Sequence, residues 1–356
     1  MACDMRRIAN LTKAKQELVA MGIDHYTGDL KDYVADNVKT DAKSVDDQIR
    51  NRIKNDVMNG AEFDYRSFRK YKNDIYEVLE VTLDQTLPEG WKDNEFFNRY
   101  VETIRVDLGD INEFYSENNS LLTVSKFAGN HWDTIRERFD IGTSFSIPTG
   151  WYDVHFYNEF ERFMKGVDSW IKLIDKARKS FLQFFQNAAY VAFSNLGDEL
   201  PEGFVGNGAL ISDTEKDAFL EIADRVATDT GKKVTFVGSV QALRKLQGKI
   251  EDNWIPESLR EERAKNGVIS TYEGYELLVL PQVFKAGTFD FELSTDKILM
   301  VASNAKPIKF VFEGKSRMKE IDSNTTNQDQ TLEGQIQVKA GMGVAVDELF
   351  GCWTLA

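Results

Sequence analysis

The feature that most constrains this chain is a stripe of apolar residues that recurs at alternating steps of four and three residues. Such spacing places the residues on one face of an α-helix. The stripe consists of Phe156, Phe160, Phe163, Val167, Trp170, Ile174, Ala177, Phe181, Phe184, Ala188 and Val191. It predicts a helix from about residue 155 to 195, roughly 60 Å long at 1.5 Å per residue. A helix of this length exceeds what a compact globule uses, so we expect a strut or a coiled coil.

Both interpretations of the helix stay open, and we favour the strut. A coiled coil prefers Leu, Ile and Val in its narrow seam, whereas this stripe is dominated by Phe and Trp, which suit packing onto a sheet. Gly166 is expected to break or bend the helix, since a mid-helix glycine costs about 1 kcal/mol relative to alanine.

Composition excludes several functional classes. The 356 residues are 42% hydrophobic and 29% charged, and no apolar run approaches the roughly 20 residues that cross a bilayer. The start lacks the apolar block of a secretory signal, and Cys3 and Cys352 supply neither a disulfide framework nor a CxxC metal site, so we expect a cytosolic protein. With a net charge of −14, the chain has no net electrostatic attraction to the phosphate backbone of a nucleic acid. Specific nucleic-acid binding is therefore not expected.

The N-terminal part of the chain is polar. Residues 1–60 contain helical stretches but too few apolar positions to fill a core, so we interpret them as an arm, with a frayed terminus as the alternative. Residues 61–99 are a helical and acidic connector. Residues 73–120 hold twelve Asp or Glu against only Lys92, Arg99 and Arg105. Such an acidic surface either stays solvated or meets a basic patch on a partner.

Strand and turn signals replace the helical pattern from residue 100 to 152. Ile104, Val106 and Leu108 alternate with polar residues, and Phe145 and Ile147 precede a Pro-Thr-Gly turn. The pattern predicts a long two-stranded excursion. A two-stranded ribbon has only marginal stability when it is isolated in water, so we expect it to pack against another part of the protein or against a partner.

The C-terminal part predicts a mixed α/β unit and a long closing strand. Ser212 and Glu215 form a capping box for a helix that Gly231 closes. Ile336, Val338, Ala340, Met342, Val344 and Val346 alternate without a fault, which is typical of a strand with one buried face. Gly341 and Gly343 lie on its other face, where missing side chains allow another segment to approach closely.

No catalytic, cofactor or metal site is expected. Asp107, Asp110 and Glu113 are the most tempting cluster, since three carboxylates at this spacing can gather Mg²⁺ or Ca²⁺. Gly109 and Asp110 also form an ordinary turn, and we favour a solvated turn there. The three histidines share no ligand spacing.

Two further motifs carry residues that could bind a ligand or a partner. The segment 313–316, Glu-Gly-Lys-Ser, imitates the end of a phosphate loop, but the required first glycine falls on Lys309, so we interpret it as a surface turn. Trp132, Arg136 and Arg138 can stack on or pair with an acidic neighbour, and an anchor for the local fold is equally plausible.

The order of these parts resembles the major capsid protein fold shared by tailed bacteriophages and encapsulins. An arm, a charged two-stranded loop, a long helix, an α/β lobe and a closing strand follow one another over nearly the whole chain. The segments 266–281 (NGVISTYEGYELLVLP), 296–301 (DKILMV) and 335–355 also look like phage capsid sequence.

The resemblance implies an α+β chain with the phage major capsid fold: an N-terminal arm, an extended β-hairpin loop, a long spine helix, a peripheral domain and an axial α/β domain. The implied boundaries are 1–60 for the arm, 61–99 for the connector, 100–152 for the extended loop, 153–200 for the spine helix of the peripheral domain, 201–288 for the axial domain, 289–340 for peripheral-domain strands and 341–356 for C-terminal strands that return to the axial domain.

By the same resemblance the chain is a structural protein and not an enzyme. Its copies would assemble into hexamers and pentamers of an icosahedral shell around phage double-stranded DNA, which the subunit would contact weakly and non-specifically. A separate scaffold protein, a portal and a decoration protein are the other expected partners, and a membrane is not. The protein would be assembled in the bacterial cytoplasm and reside in the virion.

In this family the extended loop lies across a neighbouring subunit. The resemblance therefore implies inter-subunit contacts on this loop, at Asp107, Asp110, Glu113, Trp132, Arg136 and Arg138. Two alternatives stay open. One is an encapsulin-like compartment that holds protein cargo, and the other is a metal-dependent hydrolase that uses Asp107, Asp110 and Glu113.

Overall fold

A computed structural model describes residues 11–27, 42–62, 64–91, 94–117, 122–124, 142–159, 170–247, 257–285, 287–321, 331–345 and 348–355. Helices and strands are mixed along the chain, as the α+β prediction requires. The helices are α1 (Lys13–Thr27), α2 (Ala42–Arg52), α3 (Tyr65–Glu89), α4 (Glu95–Tyr100), α5 (Trp170–Ser194), α6 (Asp213–Thr230), α7 (Val240–Gln247) and α8 (Glu257–Asn266). The strands are β1 (Val101–Val106), β2 (Phe114–Glu117), β3 (Gly142–Phe145), β4 (Gly150–Glu159), β5 (Val205–Gly208), β6 (Val234–Ser239), β7 (Thr271–Tyr272), β8 (Tyr275–Leu280), β9 (Lys297–Ala302), β10 (Ile308–Glu313), β11 (Arg317–Ile321), β12 (Thr331–Val344) and β13 (Gly351–Leu355).

The first sheet is built around β12. On one edge β12 pairs with β10 and then with β11, and β1 pairs with β10. On its other edge β12 pairs with β4 over ten residues, from Thr331↔Glu159 to Ala340↔Gly150. Ile336, Val338 and Ala340 are buried, so the predicted alternation is confirmed over this part of the strand. It is wrong at Val344, which is 45% exposed, and Val346 lies outside the described residues.

The second sheet has the order β5-β13-β9-β6-β8-β7. Helix α6 packs on it and has the predicted capping box between Ser212 and Glu215, while Gly231 closes the helix in the left-handed region at φ 64°. The side chains Phe219, Phe236 and Trp353 meet edge to face at the centre of this layer. Strand β9 falls in the segment 289–340, which we predicted for the other domain, yet it pairs with β6 and β13.

The predicted helix 155–195 is wrong at its N-terminal end. Residues 155–159 belong to β4, and α5 begins at Trp170. Residues 160–169, with Gly166, lie outside the described part of the chain. The strand prevails because Tyr152, Val154 and Phe156 pack against the core with period two, and because a Cβ at Gly334 would lie 2.4 Å from the Phe156 ring.

The buried face of α5 also drifts from the predicted stripe. Ile174, Ala177 and Phe181 are buried as expected, but further along Phe185 is buried and Phe184 is 53% exposed. A straight α-helix rotates about 20° per seven residues relative to a 3.5-residue repeat, so the buried face moves on by one position. The helix packs against α3, β10 and β12 of its own chain, which agrees with the strut.

The N-terminal helices contribute to the same core. Leu18, Val19, Met21, Ile49 and Ile53 are buried in one cluster with α3. Lys15 Nζ also binds the carboxylates of Asp74 and Glu77 on α3 at 2.7 and 2.6 Å. The expectation that residues 1–60 hold too few apolar positions to fill a core is therefore wrong for the part that the structure describes.

An aromatic cluster joins α5 to the first sheet. The Trp91 ring lies 4.7 Å from Phe310 and 5.3 Å from Phe312, and Phe185 lies 5.0 Å from Phe310. Rings in such arrangements contribute beyond their buried area, by about 0.5–1.5 kcal/mol per pair.

Phe185→Ala should lower the free energy of unfolding of the unassembled subunit by about 3–5 kcal/mol, because it removes a buried ring from this cluster. Phe184→Ala is the matched control and should cost about 1 kcal/mol, since its ring is half exposed. Urea denaturation followed by tryptophan fluorescence measures both. Equal losses at the two positions would contradict the packing described.

Candidate functional site

The root of the extended loop is an organised polar site on the first sheet. The loop leaves the sheet after β1 and returns at β4. The structure describes residues 107–117, 122–124 and 142–149 between these strands. Strands β2 and β3 pair with each other from Phe114↔Phe145 to Glu117↔Gly142, which is the predicted two-stranded excursion.

One buried carboxylate ties both arms of the loop to the sheet. Glu313, the last residue of β10, accepts a hydrogen bond from the backbone N–H of Gly109 on the outgoing arm at 3.0 Å. The hydroxyl of Thr149 on the returning arm donates to its other oxygen. Lys339 of β12 donates its ammonium group at 2.6 Å. The Glu313 residue is only 5% exposed, so its charge depends on these three donors.

The environment stabilises the ionised form of this carboxylate. The ammonium group of Lys339, followed by the Thr149 hydroxyl and the Gly109 amide, lowers the pKa of Glu313 from 4.5 to about 2. Charge-assisted hydrogen bonds of this kind are about twice as strong as neutral ones. The root therefore keeps its negative charge, and both arms stay attached, over the whole physiological pH range.

A side-chain amide extends the pairing of the two arms. The Asn112 amide nitrogen donates to the Ile147 carbonyl at 2.8 Å, and the Ile147 N–H donates to the Asn112 amide oxygen at 2.7 Å. Asn112 thus makes the two hydrogen bonds that a backbone partner would make. Both residues are buried, so neither arm can swing away without leaving polar groups unsatisfied.

Apolar packing completes the root. Phe114, Ile147 and Val311 are buried together, with Ile104, Val106 and Phe145 packed beside them. The rings of Phe114 and Phe145 stack at 5.8 Å.

Two glycines of β12 let the returning arm approach. A Cβ at Gly341 would lie 2.6 Å from the Pro148 carbonyl oxygen, and one at Gly343 would lie 3.0 Å from Ile147. The prediction that these glycines admit another segment is confirmed, and the segment is residues 147–149.

Beyond its root the loop presents apolar side chains to solvent. Ile111 is 86% exposed and Val124 is 96% exposed. Leu108, Tyr115 and Leu122 are also largely exposed. Among its described residues, the loop is fixed at its base and leaves these five apolar side chains exposed, which is a property of docking elements.

The predicted site residues are only partly described. Asp107, Asp110 and Glu113 are exposed on the outgoing arm, and the Asp110 N–H donates to the Asp107 carbonyl in a turn with Gly109 at φ 89°. No group of three potential metal ligands converges among the described residues, so the structure does not gather these carboxylates into a site. Trp132, Arg136 and Arg138 lie outside the described part of the chain.

Much of the acidic segment 73–120 finds partners within the chain, an outcome that the sequence analysis did not consider. Lys309 binds Glu102 at 2.7 Å, and Arg99 binds Glu95 and Glu276. Glu80 and Asp84 accept backbone N–H groups from Met318 and Ser316, and burial raises the pKa of Glu80. Asp107, Asp110 and Glu113 are exposed carboxylates of this segment.

Sequence reasoning missed Glu313 and Lys339. The segment 313–316 was interpreted as a surface turn, and this is wrong because Glu313 and Ser316 are buried. The available signal was a glutamate at the end of a strand, Ile308–Glu313, that is apolar apart from Lys309, since a buried carboxylate requires donors.

Comparison with known proteins gives one family match. The family described as "SPbeta prophage-derived putative capsid protein YonB" matches residues 23–354. No curated protein matches the chain. Among solved structures, the chain is similar to the bacteriophage PhiM1 mature capsid, with 10% identity over 73% of this chain and 87% of that chain and a TM-score of 0.47. It is also similar to the satellite phage P4 procapsid, with 9% identity, coverage of 81% and 97% and a TM-score of 0.47. A third similarity is to the holo-SrpI encapsulin of Synechococcus elongatus, with 10% identity, coverage of 74% and 88% and a TM-score of 0.40.

Gly341→Ala should destabilise the subunit by about 1–3 kcal/mol, because the added methyl group would collide with the Pro148 backbone. Gly150→Ala is the control, since a Cβ there meets nothing within 4 Å. Thermal unfolding and hydrogen exchange of the Ile147 amide report the effect. A tolerated Gly341→Ala would show that the returning arm is not held as described.

Glu313→Gln should cost about 1–3 kcal/mol at neutral pH, because it removes the charged partner of Lys339. The folded pKa lies below the ordinary value, so the stabilisation is present above pH 4.5 and is lost as the pH falls toward 2. The difference between the parent and the variant should shrink over that window in urea titrations at several pH values. Asp110→Asn, an exposed carboxylate on the same arm, should change little, and a pH-independent difference for Glu313→Gln would refute the assignment.

Proposed function

We propose, from the premise that the chain belongs to the family of the SPbeta prophage-derived putative capsid protein YonB, that its copies form the hexamers and pentamers of an icosahedral phage shell. The chain is a phage capsid protein, and self-association is its principal function. In the proposed shell it encloses double-stranded DNA.

The extended loop is the observation that carries the proposal. Its root is fixed by Glu313 and Asn112, while Ile111 and Val124 remain almost fully exposed. Exposed apolar groups on a rigid base lose little conformational freedom when a partner covers them, which favours association. A neighbouring subunit is the partner that a self-assembling shell provides.

We assign the two sheets to two domains. The first sheet, with α3 and α5, is the proposed peripheral domain, and α1 and α2 of the predicted arm pack on it. The second sheet, with α6 and α7, is the proposed axial domain, and it includes β9 and β13. The extended loop at 100–152 projects from the peripheral domain.

Contacts with the neighbour are proposed at two places on the loop. Asp107, Asp110 and Glu113 form its open acidic surface and would face basic groups, because opposite charges steer and align association. Trp132, Arg136 and Arg138 lie further along and would supply aromatic and cationic anchors.

The charge of the chain suits a shell wall. With a net charge of −14, the inner surface would contact DNA weakly and non-specifically.

A separate scaffold protein, a portal and a decoration protein are the proposed partners beside further copies of the chain. No helix in the described ranges is long and apolar enough to span a bilayer. We propose that the protein is assembled in the bacterial cytoplasm and is located in the virion.

Two alternatives have less support. An encapsulin-like compartment would hold protein cargo, but the matching family is described as a prophage capsid protein. A metal-dependent hydrolase would need Asp107, Asp110 and Glu113 to converge, and they form an exposed turn instead. Loss of a hydrolytic activity with assembly intact, after all three are changed to alanine, would favour the hydrolase.

Ile111→Ser combined with Val124→Ser should weaken assembly without affecting the fold, because both side chains are exposed in the single subunit. The expected result is an unchanged melting temperature and at least a tenfold higher protein concentration for shell formation. Negative-stain electron microscopy and light scattering, with and without neighbouring gene products, measure this.

The same two positions changed to leucine preserve the apolar surface and serve as the control. The proposal of a shell would be overturned if the unmodified protein stayed a monodisperse monomer at high concentration with every candidate co-factor. Normal assembly of the serine variant would instead remove the loop from the interface.

A further inference from the structure

The exposed side of α5 carries a row of lysines. Lys172, Lys176, Lys179 and Gln183 follow one another at steps of four, three and four residues, which places them on one side of the helix. All four are exposed, on the side opposite the face that packs against α3, β10 and β12. We call the three lysines the lysine stripe, and it extends over about 10 Å at 1.5 Å per residue.

The positive charge of this helix is not balanced within the helix. Asp175 is the single acidic residue of α5, which also holds four basic residues. The Asp175 carboxylate binds Lys179 at 2.6 Å and Arg178 at 3.5 Å. Lys172 and Lys176 make no salt bridge with any other residue that the structure describes. Two ammonium groups of the stripe therefore remain available to an outside partner.

The stripe stands out against the charge of the rest of the chain. The whole chain has a net charge of −14, and α6 alone has six acidic residues against two basic ones. Salt screens exposed charges beyond about 10 Å at 0.1 M ionic strength. A negatively charged partner that touches α5 therefore responds to the lysines beside it more than to the distant acidic surface.

The surface around the lysines is polar. From residue 172 to 183 the exposed side chains are the three lysines, Ser180 and Gln183. The next exposed residue, Phe184, lies about 100° further around the helix, and its ring contacts Tyr152. A protein partner normally buries an apolar centre that is poor in charge. A phosphate backbone needs no such centre, because lysine, serine and glutamine all bind phosphate oxygens.

We propose that the lysine stripe binds the phosphate backbone of double-stranded DNA, and that the side of α5 that carries it faces the inside of the shell. The inference rests on the proposed capsid function and adds the surface that meets the packaged DNA. Lysine acts as a point charge without the planar fork of arginine. Contacts to phosphate alone carry no sequence information, so the binding is independent of sequence.

The contact is weak in one subunit and additive over many. Each neutralised phosphate on a duplex releases counterions and contributes about −0.9 to the slope of log K against log salt concentration, so three contacts give about −2.7. A shell that presents many stripes to one DNA molecule holds it through their combined effect. The acidic surface elsewhere on the chain keeps DNA from coating the whole subunit.

Removal of the stripe gives the first test. Lys172→Gln, Lys176→Gln and Lys179→Gln together should weaken binding of a short duplex to the full-length chain at least tenfold. The salt slope should fall from about −2.7 toward zero, since the three phosphate contacts are lost. Fluorescence anisotropy of a labelled duplex at several salt concentrations measures both. Parent-like binding by this variant would overturn the inference.

A matched control separates the stripe from the net charge. Lys265, Lys285 and Lys306 are exposed at scattered positions of the second half of the chain. Changing these three to glutamine alters the net charge by the same amount, but binding should stay within twofold of the parent. Both triple variants should keep the melting temperature of the parent. An equal loss of binding in the two variants would show that position on α5 does not matter.

Polyglutamate tests the class of partner. A duplex carries one charge per roughly 1.7 Å, whereas an extended polyglutamate chain carries one per roughly 3.5 Å. At equal charge concentration and equal salt, stripe-dependent binding of polyglutamate should therefore be weaker than that of the duplex. Tighter stripe-dependent binding of polyglutamate would overturn the assignment to DNA in favour of an acidic protein segment.

Footprinting separates the inference from the function on which it rests. In assembled particles the stripe should be protected from an amine-reactive reagent when DNA is inside and reactive when the particle is empty, as read by mass spectrometry. Shells that hold DNA while the stripe stays reactive would overturn the contact and leave the shell in place. Stripe-dependent DNA binding by a chain that never closes a shell would support the contact and overturn the shell.

Discussion

The pairing of β12 on both of its edges is the constraint on which the rest of this structure depends. One edge carries β10 and then β11, and the other carries ten residues of β4. The pairing with β4 holds residues 155–159 extended, and it brings the returning arm of the loop against Gly341 and Gly343. The pairing with β10 sets Glu313 beside Lys339. The root of the loop and the surface on which α5 packs therefore both depend on this one strand.

Local patterns predicted the parts of the fold that local physics decides. The capping box of α6, the alternation of β12 from Ile336 to Ala340 and the paired arms of the loop were all predicted from residue spacing and are present. The start of the long helix was predicted wrongly because Phe156 satisfies a helical and an alternating pattern equally well. Only the partner strand, which lies more than 170 residues away, decides between them.

The candidate site could not be predicted for the same reason. Glu313 draws its donors from Gly109, Thr149 and Lys339, which stand in three other segments of the chain. No spacing rule joins such residues, and the nearest sequence motif suggested a different chemistry. The acidic segment was also predicted wrongly, because Glu102 binds Lys309 and Asp84 accepts the Ser316 N–H, and only the tertiary fold brings these groups near. The order of helical and strand segments did indicate the fold class, because that order does not depend on any single residue.

The way in which the loop is fastened has a mechanical consequence. Both arms of the loop are held by the carboxylate of Glu313 and by strands β10 and β12, so the loop cannot rotate about its base. A force that a neighbouring subunit exerts on the end of the loop far from the sheet would be transmitted to β10 and β12. It would rotate the first sheet together with α5 as one rigid body. Strain in a shell built from such parts would be shared among many subunits, and it would not be relieved by bending at a single hinge.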